Sequence, residues 1–169
     1  AYMHTEPQYT ELHRVTSTAI IYTEDRKYLI LKRSPEKKAF PGKWTVPGGG
    51  LEVNDYMHTP RTTDDLWYFA LAKSLRREIE EECALEVGVL RYLVDMTFIR
   101  PDGVPVIILS FYAPYESGTV SLDEDNVDFA WVSLEEAKEY DLIDGLVEEI
   151  EMVDRILGGA NEADVSYGA

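Results

Sequence analysis

Short runs of β-branched and apolar residues, separated by polar turns, occupy the first part of the chain. One run covers residues 15–22 and a second covers residues 27–32, with the polar stretch 23–26 between them. Such runs, bounded by turn residues, are typical of strands joined in a hairpin. A third, short strand is predicted at residues 44–46, where Pro47 and the three glycines after it stop the pattern.

The spacing of apolar residues changes to a helical one in the middle of the chain. Apolar side chains recur there every four residues, at Leu71, Leu75, Ile79 and Cys83. This spacing predicts an amphipathic helix over residues 64–85. Thr62 and Asp65 resemble a capping box at its start, with Asp in place of the usual Glu or Gln.

Three more strands and a closing helix are predicted downstream, at residues 89–99, 104–113, 127–132 and 143–157. Residues 100–103 (Arg-Pro-Asp-Gly) have the turn chemistry of a hairpin, and Ser133 followed by Glu136 indicates a helix cap. Strands interleaved with only two or three helices favour an α/β fold, an α/β/α sandwich around a central mixed sheet. The small and polar residues from Gly158 onward predict a loose tail.

The charge balance limits the class of partner. The chain has 32 acidic and 16 basic residues, a net charge of −16. A nucleic acid would be repelled, because its binding depends on basic side chains meeting phosphates. A small phosphorylated molecule is compatible if a divalent cation lies between its phosphates and the carboxylates. The ordinary alternative is that the acidity only favours solubility.

The same sequence indicates a compartment. No apolar run approaches the roughly 18 residues of a membrane span, so we expect no membrane partner. The first residues lack a basic segment followed by an apolar one, and Cys83 is the single cysteine. Both features lead us to expect a cytoplasmic protein without disulfides.

A cluster of carboxylates marks the predicted central helix. Glu78 and Glu82 lie one turn apart, with Glu81 beside them. Like charges at this spacing cost about 0.2–0.5 kcal/mol per pair, and the C-terminal half of a helix disfavours anions further. The cluster is therefore reasonable if a hard cation neutralises it, although an acidic run alone is more often a solvated helix face.

The glycine-rich loop upstream changes that balance, since glycines allow the close backbone approach that metal and phosphate sites need. Together the two segments resemble the box of the Nudix hydrolase family (MutT-like), G-x5-E-x7-R-E-U-x-E-E-x-G-U with U aliphatic. Gly49 fills the first position, Asp55 the first acidic one, and the run Arg77–Glu82 matches the core in register. The likeness covers roughly residues 14–157, and implies a Nudix-type sandwich flanked by an N-terminal extension (1–13) and a tail (158–169).

Three departures from the family pattern stand out. Residues 56–76 number 21 where the box has seven, an excess of 14. Asp55 replaces a glutamate, and Ala84 replaces the glycine that ends the helix, so we expect the helix to continue to Gly88. In the extra segment Trp67, Tyr68 and Phe69 are expected to anchor it to the domain.

The resemblance implies Mg²⁺-dependent (or Mn²⁺-dependent) attack of water on a diphosphate bond in a nucleoside diphosphate linked to another group. A nucleoside triphosphate or related small nucleotide is the favoured substrate. The implied catalytic and metal-binding residues are Glu78, Glu81 and Glu82, with the Gly48 carbonyl and Asp125 as further ligands. Glu124 is the alternative to Asp125, and the general base stays open among the carboxylates.

The remaining site residues are also expected from the resemblance. Residues placed to contact base or phosphate are Arg33, Phe40, Trp44 and Gly49, although Trp44 is as readily a core residue. Arg77 is expected to pair with Glu52 in a structural role beside Asp55. A catalytically silent nucleotide-sensing domain on the same fold is the alternative function, and a homodimer is compatible with the family.

Overall fold

The computed structural model describes residues 6–168, so Ala169 and residues 1–5 of the expected N-terminal extension lie outside the described residues. In that part of the chain the strands are β1 (Arg14–Tyr22), β2 (Tyr28–Arg33), β3 (Trp44–Thr45), β4 (Gly48–Gly50), β5 (Glu86–Val87), β6 (Arg91–Ile99), β7 (Pro105–Ser117) and β8 (Asn126–Val132). The helices are α1 (Ala70–Cys83), α2 (Leu134–Ala137) and α3 (Leu146–Leu157). None of the helices within residues 6–168 has the length and apolarity to cross a membrane.

The strands form one mixed sheet. β1 and β7 run parallel along the whole length of β1, from Arg14 opposite Val106 to Tyr22 opposite Pro114. The other pairings are antiparallel: β2 with β1, β3 and β8, β4 with β1, and β5 and β6 with β7. The prediction of a mixed sheet is confirmed.

Each face of the sheet is covered by a helix. Since side chains alternate along a strand, neighbouring residues of β1 lie in two different cores. On β1, Ala19 and Ile21 lie in the buried cluster that contains Leu75 of α1. Ile20, between them, lies in the cluster that contains Ile150 of α3. The two cores on opposite faces confirm the α/β/α sandwich.

Two short strands, β4 and β5, were absent from the sequence prediction. The three glycines expected to stop the third strand instead form β4, with Gly48 to Gly50 pairing with Thr18 to Thr16 of β1. Glycine has a low preference for strands, so only the pairing with a long neighbour explains this extended backbone. β4 places the glycine-rich segment directly against α1.

α1 starts six residues later than predicted. The Thr62 hydroxyl accepts the Tyr68 N–H (3.0 Å) and the Thr63 hydroxyl accepts the Leu66 N–H (3.0 Å). These hydroxyls stabilise a turn of their own, and Phe69 then adopts a left-handed conformation (φ 66°) immediately before the helix. The expected capping box at residue 62 was therefore wrong, because its threonine belongs to the preceding turn.

The extra segment packs largely on itself. The Trp67 ring lies 5.4 Å from the Tyr56 ring and 4.9 Å from the Arg61 guanidinium. Tyr68 is 52% exposed and Phe69 is 76% exposed. These three residues were expected to anchor the segment to the domain, but Tyr68 and Phe69 are exposed, and the contacts of Trp67 described here lie within the segment itself.

α1 ends at Cys83, so the expected continuation to Gly88 was also wrong. Ala84 takes up the left-handed C-cap conformation (φ 59°) in place of a glycine. The carbonyls of Glu82 and Cys83 accept the N–H groups of Asp123 (3.3 Å) and Ser121 (3.1 Å). Contacts from this loop satisfy the helix end, and they hold Ala84 in a conformation that it disfavours.

The C-terminal residues, for which composition predicts a loose tail, make one contact with the sheet. A single 3-10 turn covers Glu162–Asp164, and the Tyr112 hydroxyl of β7 donates a hydrogen bond to the Glu162 carboxylate. The tail therefore lies against the sheet at this point.

Replacing Ala84 by glycine is expected to stabilise the protein. The left-handed conformation costs alanine about 1–2 kcal/mol, and the larger backbone entropy of unfolded glycine offsets part of the gain. We expect Ala84→Gly to raise the free energy of unfolding by about 1 kcal/mol in denaturant titrations. Ala72→Gly, the same change inside α1, is the control and is expected to lower it by about 1 kcal/mol. Equal effects at the two positions would contradict the left-handed cap.

Candidate active site

A cavity of about 760 Å³ lies between β4, the C-terminal half of α1 and the loop before β8. Its acidic lining residues are Glu36, Glu52, Glu78, Glu81, Glu82, Asp123 and Asp125. Its basic lining residues are Arg14, Arg33, Lys37, Lys38 and Arg100. Both signs of charge thus meet in one cleft of an otherwise strongly acidic protein.

β4 brings its backbone into contact with the carboxylates of α1. A Cβ atom on Gly49 would lie 2.3 Å from the Cδ atom of Glu78, so a larger residue at this position would have to displace the Glu78 carboxylate. The Gly48 N–H donates a hydrogen bond to Glu82 Oε1 at 3.2 Å. The glycine-rich strand is therefore needed for close approach to the carboxylate cluster.

Arg77 joins three carboxylates at the edge of the cavity. Its Nε atom lies 2.6 Å from Asp55 Oδ1, and its Nη2 and Nη1 atoms lie 3.0 Å from Glu78 and 3.0 Å from Glu81. The expected pairing of Arg77 with Glu52 was wrong. Glu52 is exposed and lines the cavity, and its backbone N–H donates to Asp55 at 2.8 Å.

Asp55 is the buried member of this network, with its side chain only 4% exposed. Burial alone would raise its pKa, but hydrogen bonds from Arg77, the Glu52 backbone and the Ser74 hydroxyl outweigh burial and lower it. The Ser74 hydroxyl donates at 2.9 Å. A short aspartate is suitable here because the 3-10 turn Val53–Asp55 already brings the carboxylate to Arg77.

The carboxylate of Glu82 lacks a compensating cation in the described residues. Burial, together with repulsion from Glu78 and Asp123, raises the pKa of Glu82 to about 8, against the hydrogen bonds from Gly48 and Asn126. Burial also raises the pKa of Glu78, and the Arg77 charge reduces this effect. The cluster therefore holds more negative charge than its surroundings stabilise, as expected where a cation binds.

The residues fit a hard divalent cation in their chemistry, since every donor of the cluster is an oxygen atom. No three acidic, His or Cys side chains within residues 6–168 converge closely enough to hold a metal ion as they stand. The reason is visible in the contacts: Arg77 binds Glu78 and Glu81, while Gly48 and Asn126 bind Glu82.

The loop before β8 places a different aspartate beside Glu82 than the one expected. Asp125 lines the cavity, but it pairs with Lys37 at 3.2 Å, and Glu124 does not line the cavity. The Asn126 amide joins Asp123 to Glu82, because it donates to Asp123 Oδ1 at 3.1 Å and to Glu82 Oε2 at 3.5 Å. Sequence spacing missed Asp123, because only the contact of this loop with the end of α1 distinguishes it.

The residues expected to contact substrate separate into three groups. Gly49 and Arg33 line the cavity, and Arg33 Nε also donates to the Ala39 carbonyl at 2.9 Å. Phe40 lines a second cavity that adjoins the first. Trp44 lines neither of these cavities, and its ring packs 4.9 Å from Tyr140 against the core. The structure therefore favours the core alternative for Trp44.

Cys83 is buried on the sheet side of α1. Burial and the nearby Glu82 charge raise the pKa of its thiol to about 12. Such a thiol stays protonated at neutral pH, so a nucleophilic role is disfavoured.

Comparison with known proteins identifies the class of protein to which this α/β/α sandwich, with its carboxylate helix against a glycine-rich strand, belongs. The family model described as the NUDIX domain matches residues 12–151. The nucleoside triphosphatase NudI of Klebsiella pneumoniae is 30% identical over 126 residues, covering 68% of this chain and 79% of that protein. NudI of Escherichia coli K12 is 28% identical, covering 70% of this chain and 81% of that protein.

Solved structures show the same fold. The MutT protein from Methanosarcina mazei Go1 has a TM-score of 0.64 at 24% identity, covering 89% of this chain and 96% of that one. The NUDIX domain of Shewanella oneidensis NrtR, solved with ADP ribose, has a TM-score of 0.67 at 18% identity, covering 91% and 94%. The chain belongs to the Nudix family, and it is a Nudix hydrolase.

The Arg77–Asp55 contact is expected to contribute measurably to stability. Asp55→Asn removes a buried charge-assisted hydrogen bond, so we expect the free energy of unfolding at pH 7 to fall by about 2 kcal/mol. Glu52→Gln is the matched control at the partner first expected from sequence, and it should change stability by less than about 0.5 kcal/mol. Denaturant titration of both variants measures this, and a larger loss for Glu52→Gln would contradict the observed pairing.

Glu82 makes the stability of the metal-free protein depend on pH. A pKa raised to about 8 in the folded state, from 4.5, means that the folded protein binds the proton more tightly. The Glu82 contribution is therefore complete below about pH 4.5 and is lost as pH rises through about 8. With a chelator present, we expect the melting temperature of the wild type to fall between pH 5 and 9, and that of Glu82→Gln to fall less. An unchanged slope would show that Glu82 titrates normally.

Proposed function

We propose that this Nudix hydrolase cleaves a diphosphate bond in a nucleoside diphosphate linked to another group, with Mg²⁺ or Mn²⁺ as the cofactor. A nucleoside triphosphate or a related small nucleotide is the substrate. The observation that carries the proposal is the cavity in which an acidic helix face and several basic side chains line the same space.

The acidic side of this cavity is suited to a divalent cation. Glu78, Glu81 and Glu82 are the proposed ligands on α1, together with the Gly48 carbonyl and an aspartate before β8. Asp125 was expected from spacing, and Asp123 is the better candidate because the Asn126 amide joins it to Glu82. Oxygen ligands of this kind favour Mg²⁺ over softer metals.

The basic side of the cavity is suited to phosphate. Lys37 and Lys38 lie on the loop after β2, and Arg14 lies on β1 so close to Gly50 that a Cβ there would meet its guanidinium at 2.1 Å. With a net charge of −16, the protein as a whole repels anions. The basic residues of the cavity are therefore the groups that we propose to bind phosphate. A small nucleotide reaches them, whereas a nucleic acid would meet the acidic surface.

The chemistry divides between the two sides. A bound Mg²⁺ would neutralise charge on the diphosphate and lower the pKa of the attacking water. The basic residues hold the phosphate chain, and the Arg77 network fixes Glu78 and Glu81 on the helix that faces it. The general base is one of the cavity carboxylates. The name nucleoside triphosphatase, carried by the two NudI relatives, agrees with this substrate class.

Hydrolysis of a nucleotide panel with Mg²⁺ tests the proposal. Glu78→Gln and Glu82→Gln each remove one ligand charge at nearly constant shape, and we expect kcat/KM to fall by about 100-fold or more. Glu80→Gln is the matched control, because Glu80 is exposed on the same helix and does not line the cavity. Phosphate and pyrophosphate release measure the rates.

The outcomes of this panel are distinct. Metal-dependent turnover lost in the two cavity variants and kept in Glu80→Gln supports the hydrolase. Nucleotide binding without turnover by the wild type would instead support a silent sensing domain. Turnover that survives both cavity variants would show that the metal site lies elsewhere.

A further inference from the structure

Ser74 is a polar residue among the buried side chains of α1. It is 1% exposed and lies one turn before Glu78 on the helix. Alanine is the better helix former, because a serine hydroxyl competes for backbone hydrogen bonds. A buried hydroxyl is also costly unless it is hydrogen-bonded. Neither helix formation nor packing therefore explains a serine at this position.

The partner of the Ser74 hydroxyl is the Asp55 carboxylate. The hydroxyl donates to Asp55 Oδ2 at 2.9 Å, and the Glu52 N–H donates to the same oxygen at 2.8 Å. The other oxygen, Oδ1, accepts the Arg77 Nε–H at 2.6 Å. Three donors on two oxygens fix the orientation of this carboxylate, which is 4% exposed. Ser74 thus holds one side of the group whose other side binds Arg77.

The orientation of Asp55 reaches the charged cavity, the cleft of about 760 Å³ lined by residues of both signs. The Arg77 Nε atom binds Asp55, and the two Nη atoms of the same guanidinium each lie 3.0 Å from a carboxylate of α1, those of Glu78 and Glu81. Because the guanidinium is rigid and planar, fixing Nε also fixes the directions of both Nη atoms. Glu78 and Glu81 line the cavity, whereas Ser74 does not.

We propose that Ser74 is a positioning residue for the Glu78 and Glu81 carboxylates. It acts through Asp55 and Arg77. This inference rests on the proposed function, since that function makes the two glutamates metal ligands. Without the hydroxyl, the Asp55 carboxylate can rotate about its bond to Cβ, and the guanidinium moves with it. Groups that orient metal ligands in this way change metal affinity or activity by about 10–100-fold when they are removed.

The same contact explains why an aspartate is suitable at position 55. A glutamate there would advance the carboxylate by one C–C bond, about 1.5 Å. The Ser74 oxygen already lies 2.9 Å from Asp55 Oδ2, so a longer side chain has no room to extend towards it. The short carboxylate and the hydroxyl together fill the space between the 3-10 turn and α1, and the two residues are therefore matched in size.

Single and double substitutions test this match. We expect Ser74→Ala and Asp55→Glu each to lower kcat/KM by about tenfold at limiting Mg²⁺. In the double variant, which carries both changes, the longer carboxylate occupies the space of the lost hydroxyl. We therefore expect its kcat/KM to return to within about threefold of the wild type. Independent effects would multiply to about 100-fold, and that result would overturn the proposal.

The kinetic pattern separates positioning from direct contact with the substrate. Ser74 does not line the cavity, so we expect Ser74→Ala to keep KM for the nucleotide within about twofold of the wild type at saturating Mg²⁺. The loss should lie in kcat and in the Mg²⁺ concentration that gives half of the maximal rate. A loss confined to KM would contradict the positioning role.

Ser17→Ala is the matched control for the loss of a buried hydroxyl. Ser17 lies on β1 and is 0% exposed, and its hydroxyl has no hydrogen-bond partner among the described residues. Its removal breaks no contact with Asp55, so we expect the wild-type kcat and Mg²⁺ dependence. An equal loss in Ser17→Ala and Ser74→Ala would show that the Asp55 contact is not the cause, and would overturn the proposal.

Binding of Mn²⁺, measured by calorimetry without nucleotide, keeps this proposal distinguishable from the proposed function. A Kd for Mn²⁺ that rises about tenfold in Ser74→Ala and recovers in the double variant supports the role of Ser74, even if no nucleotide is hydrolysed. An unchanged Kd with a lower melting temperature would show that Ser74 supports the fold alone. Metal-dependent hydrolysis that Ser74→Ala leaves unchanged would overturn the positioning role and leave the hydrolase intact.

Discussion

The contact on which the candidate site depends is that of one guanidinium with three carboxylates. Arg77 binds Asp55 in the turn after β4, and Glu78 and Glu81 on its own helix. Without this cation the acidic cluster would repel itself at the end of a helix that already disfavours anions. The buried Asp55 fixes the orientation of Arg77. The planar guanidinium of Arg77 can then bind the other carboxylates at the same time.

The same contact joins the two ends of the long segment between Asp55 and α1, which the resemblance to the family pattern predicts to be 14 residues longer than usual. Lengthening a loop costs little, since closure entropy rises only with the logarithm of length. The extra segment closes on itself through Tyr56 and Trp67. Both of its ends are fixed independently, by the turn at Asp55 and by the start of α1 at Ala70. The box geometry is therefore determined by tertiary contacts across the loop, and it does not depend on the length of the loop.

Local patterns were sufficient for the strands of the sheet and for the buried face of α1, since those depend on side-chain alternation and helical spacing. They failed where a tertiary contact decides the backbone, as at β4, which is a strand because β1 pairs with it, and at Ala84, which the loop before β8 holds in a left-handed conformation. The partner of Arg77 was missed for a similar reason. Glu52 and Asp55 are both acidic and near in sequence, and only the 3-10 turn makes Asp55 the buried one.

Each of the two adjoining cavities contains a buried carboxylate, and the surroundings of the two carboxylates differ. In the charged cavity Glu82 still receives hydrogen bonds from Gly48 and Asn126, so its charge is shared with the backbone and an amide. In the second cavity Glu149 is 1% exposed, and the Ser110 hydroxyl is the group that opposes the effect of burial on its pKa. An apolar residue of similar size would suit the fold better at that position. Retaining a carboxylate there is expected to cost stability, because its burial is offset only in part by Ser110 and by the N-terminal position on α3.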